Sequence, residues 1–172
     1  MEKLEIKLLS DNATKPKRAD DLSAGYDIYA AETVILEPQQ KTLVATDVAV
    51  NIPQGYVGLL TSRSGVSSKT HLVVETGKID AGYQGHMKIN IKNDREFAVC
   101  NEHELWDISE TPLEKATTTK VYSPGSYQIN KGDRLAQLVI VPIFTPELET
   151  VNEFSNKTAR GTNGFGSTGY SK

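Results

Sequence analysis

The chain has a single cysteine, Cys100, in 172 residues, so no disulfide can form within it and a cystine-stapled secreted fold is excluded. A bridge between chains stays open, and a reducing interior fits best. No run of eighteen apolar residues occurs, so no membrane span is expected. The opening MEKLEIKLLSDNATKPKR carries charges where a signal peptide needs an unbroken apolar stretch, so no leader is expected either. Excess charge of one sign is also missing: 19 Lys and Arg face 22 Asp and Glu, for a net charge of −3. That balance argues against a nonspecific nucleic-acid coat, which draws its affinity from many phosphate contacts, and leaves room for a local phosphate site. There is no tandem repeat, no low-complexity block, and no helical period of the length a crossover helix needs.

What is present reads as strand and turn. Hydrophobic residues make up 38% of the chain, with 13 glycines and 7 prolines, which suits one compact core and is too short for two full domains. KLEIKLL at 3–9 alternates with period two, and the loop behind it leads to SAGYDIYAAE. TVIL at 33–36, TLVATDVAVNI at 42–52 and YVGLLTS at 56–62 are rich in Thr and branched residues, with Pro38 and Pro53 as punctuation. LVVE at 72–75 and MKINI at 87–91 are expected to be two strands joined by a functional hairpin at IDAGYQG. SYQI at 126–129 and LAQLVIVPIF at 135–144, around the turn INKGDR, are expected to be paired central strands. The pattern predicts an all-β fold, a β-sandwich or distorted jelly-roll. Residues 93–119 are less regular and read as insertion-like, with short strands or one helical turn near 101–110. The trunk is expected to span 1–151. The stretch 152–172, with four glycines, three basic residues and one acid, is expected to be a mobile arm.

Five short stretches carry suggestive chemistry. SRSGVSSK at 62–69 offers the Arg63 fork, several hydroxyls and Gly65, whose backbone can approach an anion; it is either a phosphate grip or a polar surface turn. RGTNGFGSTG at 160–169 has the same inventory with Phe165 between two glycines, and is either a nucleotide-wrapping arm or a flexible terminus. GKIDAGYQG at 77–85 sets Asp80 and Tyr83 in a loop that can read a ring edge and position water, or that merely turns. Asp27 in AGYDIYA supports a metal-water network or caps a turn, and GDRLAQLV at 132–139 supplies Arg134 for a carboxylate and Gln137 for phosphate. His71, His86, His103 and Cys100 match no metal-ligand spacing. Trp106, Tyr122 and Tyr127 lack interleaved basic residues and read as packing or partner contacts.

Taken in order, AGYDI (24–28), SRSGV (62–66), GKIDAGYQG (77–85), GDRLAQLV (132–139) and RGTNGFGSTG (160–169) resemble the five motifs of trimeric dUTP pyrophosphatases, in a phage-type form. The resemblance implies a jelly-roll or β-clip subunit in a homotrimer whose active sites are built from three chains, with the arm closing over a neighbour's nucleotide. It implies that Asp80 orients the attacking water as general base, that Tyr83 packs beneath deoxyribose, and that backbone at Gly77, Ile79 and Met87 reads uracil. Ser64, Gly65, Arg63 and Gln137 would hold the phosphates near the scissile bond. Arg160, Gly166, Ser167 and Thr168 would bind the terminal phosphates and Phe165 would stack over the base. Asp27 would support Mg²⁺-bound water and Arg134 would be structural.

The implied reaction is Mg²⁺-assisted hydrolysis of dUTP to dUMP and pyrophosphate by water attack at the α-phosphorus, in the cytoplasm, the host cell's for a phage-encoded chain. No nucleic-acid or membrane partner is implied. Two features depart from the family: His86 stands where many members carry an acid or polar residue, and 93–119 exceeds a plain connection. In some relatives such inserts bind a repressor protein; here a loop packing on its own trimer is the simpler alternative. A dCTP deaminase could share the trunk, although the intact arm disfavours it, and a noncatalytic nucleotide-sensing module is the rival of another class.

Overall fold

The computed structural model describes residues 3–97, 105–113 and 122–163. Its eleven described strands are β1 (Glu5–Leu8), β2 (Tyr26–Tyr29), β3 (Val34–Leu36), β4 (Lys41–Asn51), β5 (Tyr56–Ser62), β6 (Leu72–Val74), β7 (Gly77–Asp80), β8 (Met87–Asn93), β9 (Leu105–Asp107), β10 (Ser126–Ile129) and β11 (Arg134–Pro142), with one short helix, α1 (Ser64–Lys69). They form three sheets, ordered β1-β4-β8-β6, β2-β11-β5-β7 and β3-β10-β9. The fold is all-β and jelly-roll-like, and its strands follow the period of two.

Alternation builds the core. Along β8, Met87, Ile89 and Ile91 are buried while Lys88 is exposed, and the same rule buries Val44 and Val48 on β4 and Ala136 and Leu138 on β11. Gly58 lies so deep in the sheet packing that a Cβ there would sit 3.0 Å from Ile52 Cδ1 and 3.1 Å from Leu138 Cδ1. Among the described residues every buried side-chain nitrogen and oxygen has a hydrogen-bond partner. Asn93 joins two sheets: it donates to Leu36 O at 3.2 Å and Gly125 O at 3.0 Å, and accepts from the Arg95 amide at 3.1 Å.

Two expected pairings are corrected. LVVE and MKINI do lie side by side, with Leu72 opposite Asn93 and Val74 opposite Ile91, but the chain between them is no hairpin loop. It contributes β7 to the other sheet, where Gly77 pairs with Leu60 and Asp80 with Val57. Likewise SYQI and LAQLV are not partners: β10 pairs with β3 and β9, whereas β11 pairs with β2 and β5. In both cases a short connection carries the chain between sheets, because each strand's apolar face finds better burial across the sandwich than beside its sequence neighbour. The insertion-like stretch holds one described strand, β9, parallel to β10.

Candidate active site

The first cluster grows from the register of β2, β11 and β5. Gln137 faces Asp27 on one side and Thr61 on the other, so the three residues form a row across the sheet. Asp27 is buried, with one oxygen accepting from Arg63 Nε at 2.7 Å and the other lying 3.4 Å from Arg134 Nη1. A carboxylate so placed must be paired, because an isolated buried charge costs several kcal/mol. Arg63 occupies the N-cap position of α1 without capping it through its side chain, and Val66 of that helix plugs into the core and leaves Ser64 and Gly65 exposed. No helix was expected here, since the six residues SGVSSK carry no helical period to read. A Cβ on Gly65 would meet nothing within 4 Å, so this chain leaves the space in front of that backbone open. Gln137 Nε2 lies 3.4 Å from Ser62 O, and its side chain closes on Gly25, where a Cβ would come 3.0 Å from Gln137 Oε1.

The second cluster is a cavity of about 390 Å³ lined by Leu60, Gly77, Lys78, Ile79, Tyr83, His86, Met87 and Lys88. Gly77, Ile79, Tyr83 and Met87, singled out in sequence, thus converge. The segment 80–83 turns tightly: the Tyr83 amide donates to Asp80 O at 3.1 Å, with Gly82 at φ 89°, a backbone state of the type II turn that favours glycine. The turn leaves Asp80 exposed at the end of β7 and its carboxylate without a hydrogen bond or ion pair to another described residue. Tyr83, half exposed, folds back so that its hydroxyl donates to His86 O at 3.1 Å. The ring rests on Gly85, where a Cβ would lie 2.6 Å from Tyr83 Cζ.

Sequence reasoning missed the wall behind Met87. β4 does not run straight: its register to β8 slips between Ala45 and Val48, and Asp47 takes φ 53°. The buried Thr46 hydroxyl donates to Met87 O at 2.5 Å, and the Asp47 amide donates to His86 Nε2 at 2.9 Å. Asp47 also accepts from the Ser10 hydroxyl and, at its carbonyl, from the Leu9 amide at 2.8 Å. The available signal was a polar Thr-Asp pair inside an otherwise apolar strand.

Arg160 lies in the exposed C-terminal segment, its Nε donating to Asn163 O at 2.9 Å. Phe165, Gly166, Ser167 and Thr168, like Cys100 and His103, fall outside the described residues. Among the described residues no three His, Cys, Asp or Glu side chains converge as a metal cage. The acidic side chains of the two clusters, Asp27 and Asp80, supply hard carboxylate oxygens, the donor type that suits a cation held by one or two carboxylates together with phosphate oxygens.

The dUTPase family model matches residues 11–102 and 119–169. The deoxyuridine 5'-triphosphate nucleotidohydrolase of Debaryomyces hansenii is 36% identical over 167 residues, 96% of this chain and 87% of that one. The solved dUTPase of Staphylococcus bacteriophage 80alpha with dUPNHPP is 58% identical, with a TM-score of 0.92 over 99% of this chain and 100% of that one. It is described among phage dUTPases that control transfer of virulence genes by a G protein-like mechanism. The dUTPase from phage phi11 of S. aureus, described for its species-specific insert, is 57% identical, with a TM-score of 0.82 over 91% and 100% of the two chains.

Proposed function

This chain belongs to the dUTPase family, of phage type, and is a dUTP diphosphatase; from that premise we propose how its own residues divide the work. The observation that carries the reading is the cavity between β7 and β8, where Gly77, Ile79 and Met87 present backbone beside the Tyr83 ring. The free edge of β7, the outermost strand of its sheet, offers backbone amides and carbonyls that suit a uracil edge, and an aromatic face suits a sugar lacking a 2′-hydroxyl. A cytosine amino group would oppose the wrong donors there, and an unpaired polar group in a closed site is costly.

Asp80, at the end of β7, serves as general base: it takes a proton from the water that attacks the α-phosphorus, and the bond to the bridging oxygen breaks to release pyrophosphate. Arg63, held by Asp27, directs its fork toward phosphate together with Ser64, Gly65 and Gln137. Arg134 keeps Asp27 in place. Asp27, with lone pairs left on both oxygens, accepts a hydrogen bond from water around Mg²⁺. The cation, when bound, neutralises triphosphate oxygens and so lowers the cost of developing charge. Arg160, Gly166, Ser167 and Thr168 close on the terminal phosphates, and Phe165 stacks on the base, from the arm of a neighbouring copy in a homotrimer. The enzyme works in the host-cell cytoplasm. The turn after β9 offers a protein-contact surface, in keeping with a regulatory partner for 93–119.

The test is pyrophosphate release from dUTP, dCTP, dTTP and UTP with Mg²⁺, run beside Asp80→Asn. Strong preference for dUTP and a loss of roughly 10²–10⁴-fold in the variant are expected. Equal turnover of the four nucleotides, or an unimpaired variant, would sink the assignment.

A further inference from the structure

Met87 is held on both sides. The peptide before it is fixed through His86 O, which accepts from Tyr83, and the peptide after it through Met87 O, which accepts from Thr46. Thr46 is 1% exposed, and its oxygen also accepts the Val48 amide at 3.2 Å, so the hydroxyl has one proton and one place to give it. The Asp47 amide, on a residue with left-handed backbone, donates to the imidazole of His86 from the same bulge. An ordinary strand pairing would set residues 46 and 47 into the ladder; the slip instead spends both on the first two residues of the cavity wall.

We infer that the Thr46–Asp47 bulge is a positioning device for base recognition, with Thr46 as a specificity-determining residue that acts through Met87 and never touches the nucleotide. The inference rests on the base-pocket reading above. A backbone group reads a ring edge only if its peptide plane cannot tilt, since a hydrogen bond weakens steeply as its angle falls. A hydroxyl on the adjacent carbonyl restrains that tilt. Removing it costs little in the bound phosphates or at the water, so the loss falls on base selection and affinity rather than on chemistry.

The experiment compares Thr46→Val, of the same shape without the hydroxyl, with Thr46→Ser, which restores it. His86→Ala serves as a second, only partly buried probe of the same bulge. Thr46→Val is expected to raise KM for dUTP and to lower the dUTP-to-dCTP ratio of kcat/KM about three- to tenfold, with kcat held within about twofold. Thr46→Ser should recover most of the ratio, and His86→Ala should shift it in the same direction. A merely structural Thr46 would lower the melting temperature and leave the ratio alone. A ¹⁵N spectrum of the wild type titrated with dUMP separates the two readings. A Met87 amide that moves while the ratio stays fixed in Thr46→Val and His86→Ala overturns the bulge inference and leaves the pocket standing. A Met87 amide that does not move overturns both. If Thr46→Val fails to fold, Thr46→Ser and His86→Ala decide: a ratio unchanged in His86→Ala overturns the inference.

Discussion

Gly85 illustrates how one missing atom sets a side chain. Its Cβ would lie 2.6 Å from the Tyr83 Cζ and hydroxyl, and the backbone there needs no left-handed conformation, so alanine is barred only by the ring. Tyr83 is half exposed and can yield where a buried side chain could not. Gly85→Ala should therefore leave the trunk folded while swinging the phenol off His86 O. If that ring faces the sugar, the dUTP-to-UTP ratio of kcat/KM should fall about tenfold, roughly the worth of one well-placed contact. Unchanged sugar discrimination in a folded variant would remove Tyr83 from that role. This dependence could not be read from GYQG, because glycine in a loop looks the same whether it serves a turn, as Gly82 does, or makes room for a neighbour.

At the scale of elements, the segment after β9 is a small acid-sensitive latch. Asp107 accepts from the Ser109 amide at 2.9 Å, the Ser109 hydroxyl at 2.7 Å and the Thr111 amide at 2.9 Å. Partial burial is the largest single influence on its carboxyl and pushes it up, but these hydrogen bonds together outweigh burial and hold it below the usual range. A folded pKa below the unfolded one means the latch contributes fully above an ordinary aspartate pKa of about 3.9, and is lost as pH falls through the lower folded value. Trp106, the chain's one tryptophan, sits on the adjacent strand position. Its emission should shift on acidification below about pH 4 in the wild type and lose that transition in Asp107→Asn. An identical acid midpoint in both would refute the latch. Next to it burial and the bond to Glu110 raise the Tyr127 hydroxyl, which also accepts the His71 amide at 3.3 Å, so β9 and its turn are tied to the chain just after α1.

Elements were more legible than their partners. KLEIKLL, TVIL, YVGLLTS and MKINI announce themselves by alternation and by the turns around them, since both signals are local. Which sheet a strand joins is decided by burial across the sandwich. GKID therefore left no trace of pairing with β5, and SYQI none of avoiding β11. The bulge at Thr46–Asp47 hides for the same reason: TLVATDVAV keeps its strand composition while the register slips by two residues. Residue type alone marked Asp27, Arg63 and Arg134 as candidates, but not that both arginines meet on the one carboxylate. Site chemistry was illegible where a common hydroxyl gains its role from one distant carbonyl.

For the whole molecule, the last described segment is the telling part. From 143 to 163 the chain forms no strand or helix, and Phe144, Leu148 and Phe154 are 89%, 98% and 87% exposed. Burying each would be worth about 1.5–3 kcal/mol, so three such side chains in open water mark a segment built to lie on something other than its own trunk. In the homotrimer proposed above that something is another copy, and Arg160 is carried away from the chain that supplies its own Asp80. Two inactive variants then become a test of sharing. Asp80→Asn keeps its arm and lacks a base, while a chain ending before Arg160 keeps its base and lacks an arm. Each alone should be inactive and should still sediment as a trimer. Refolded together in equal amounts, they should recover about one quarter of wild-type activity. That is the chance that a site draws its base from one type of chain and its arm from the other when closed rings assemble at random. If each chain completed its own site, no mixture would recover anything, because no single chain in the mixture holds both parts.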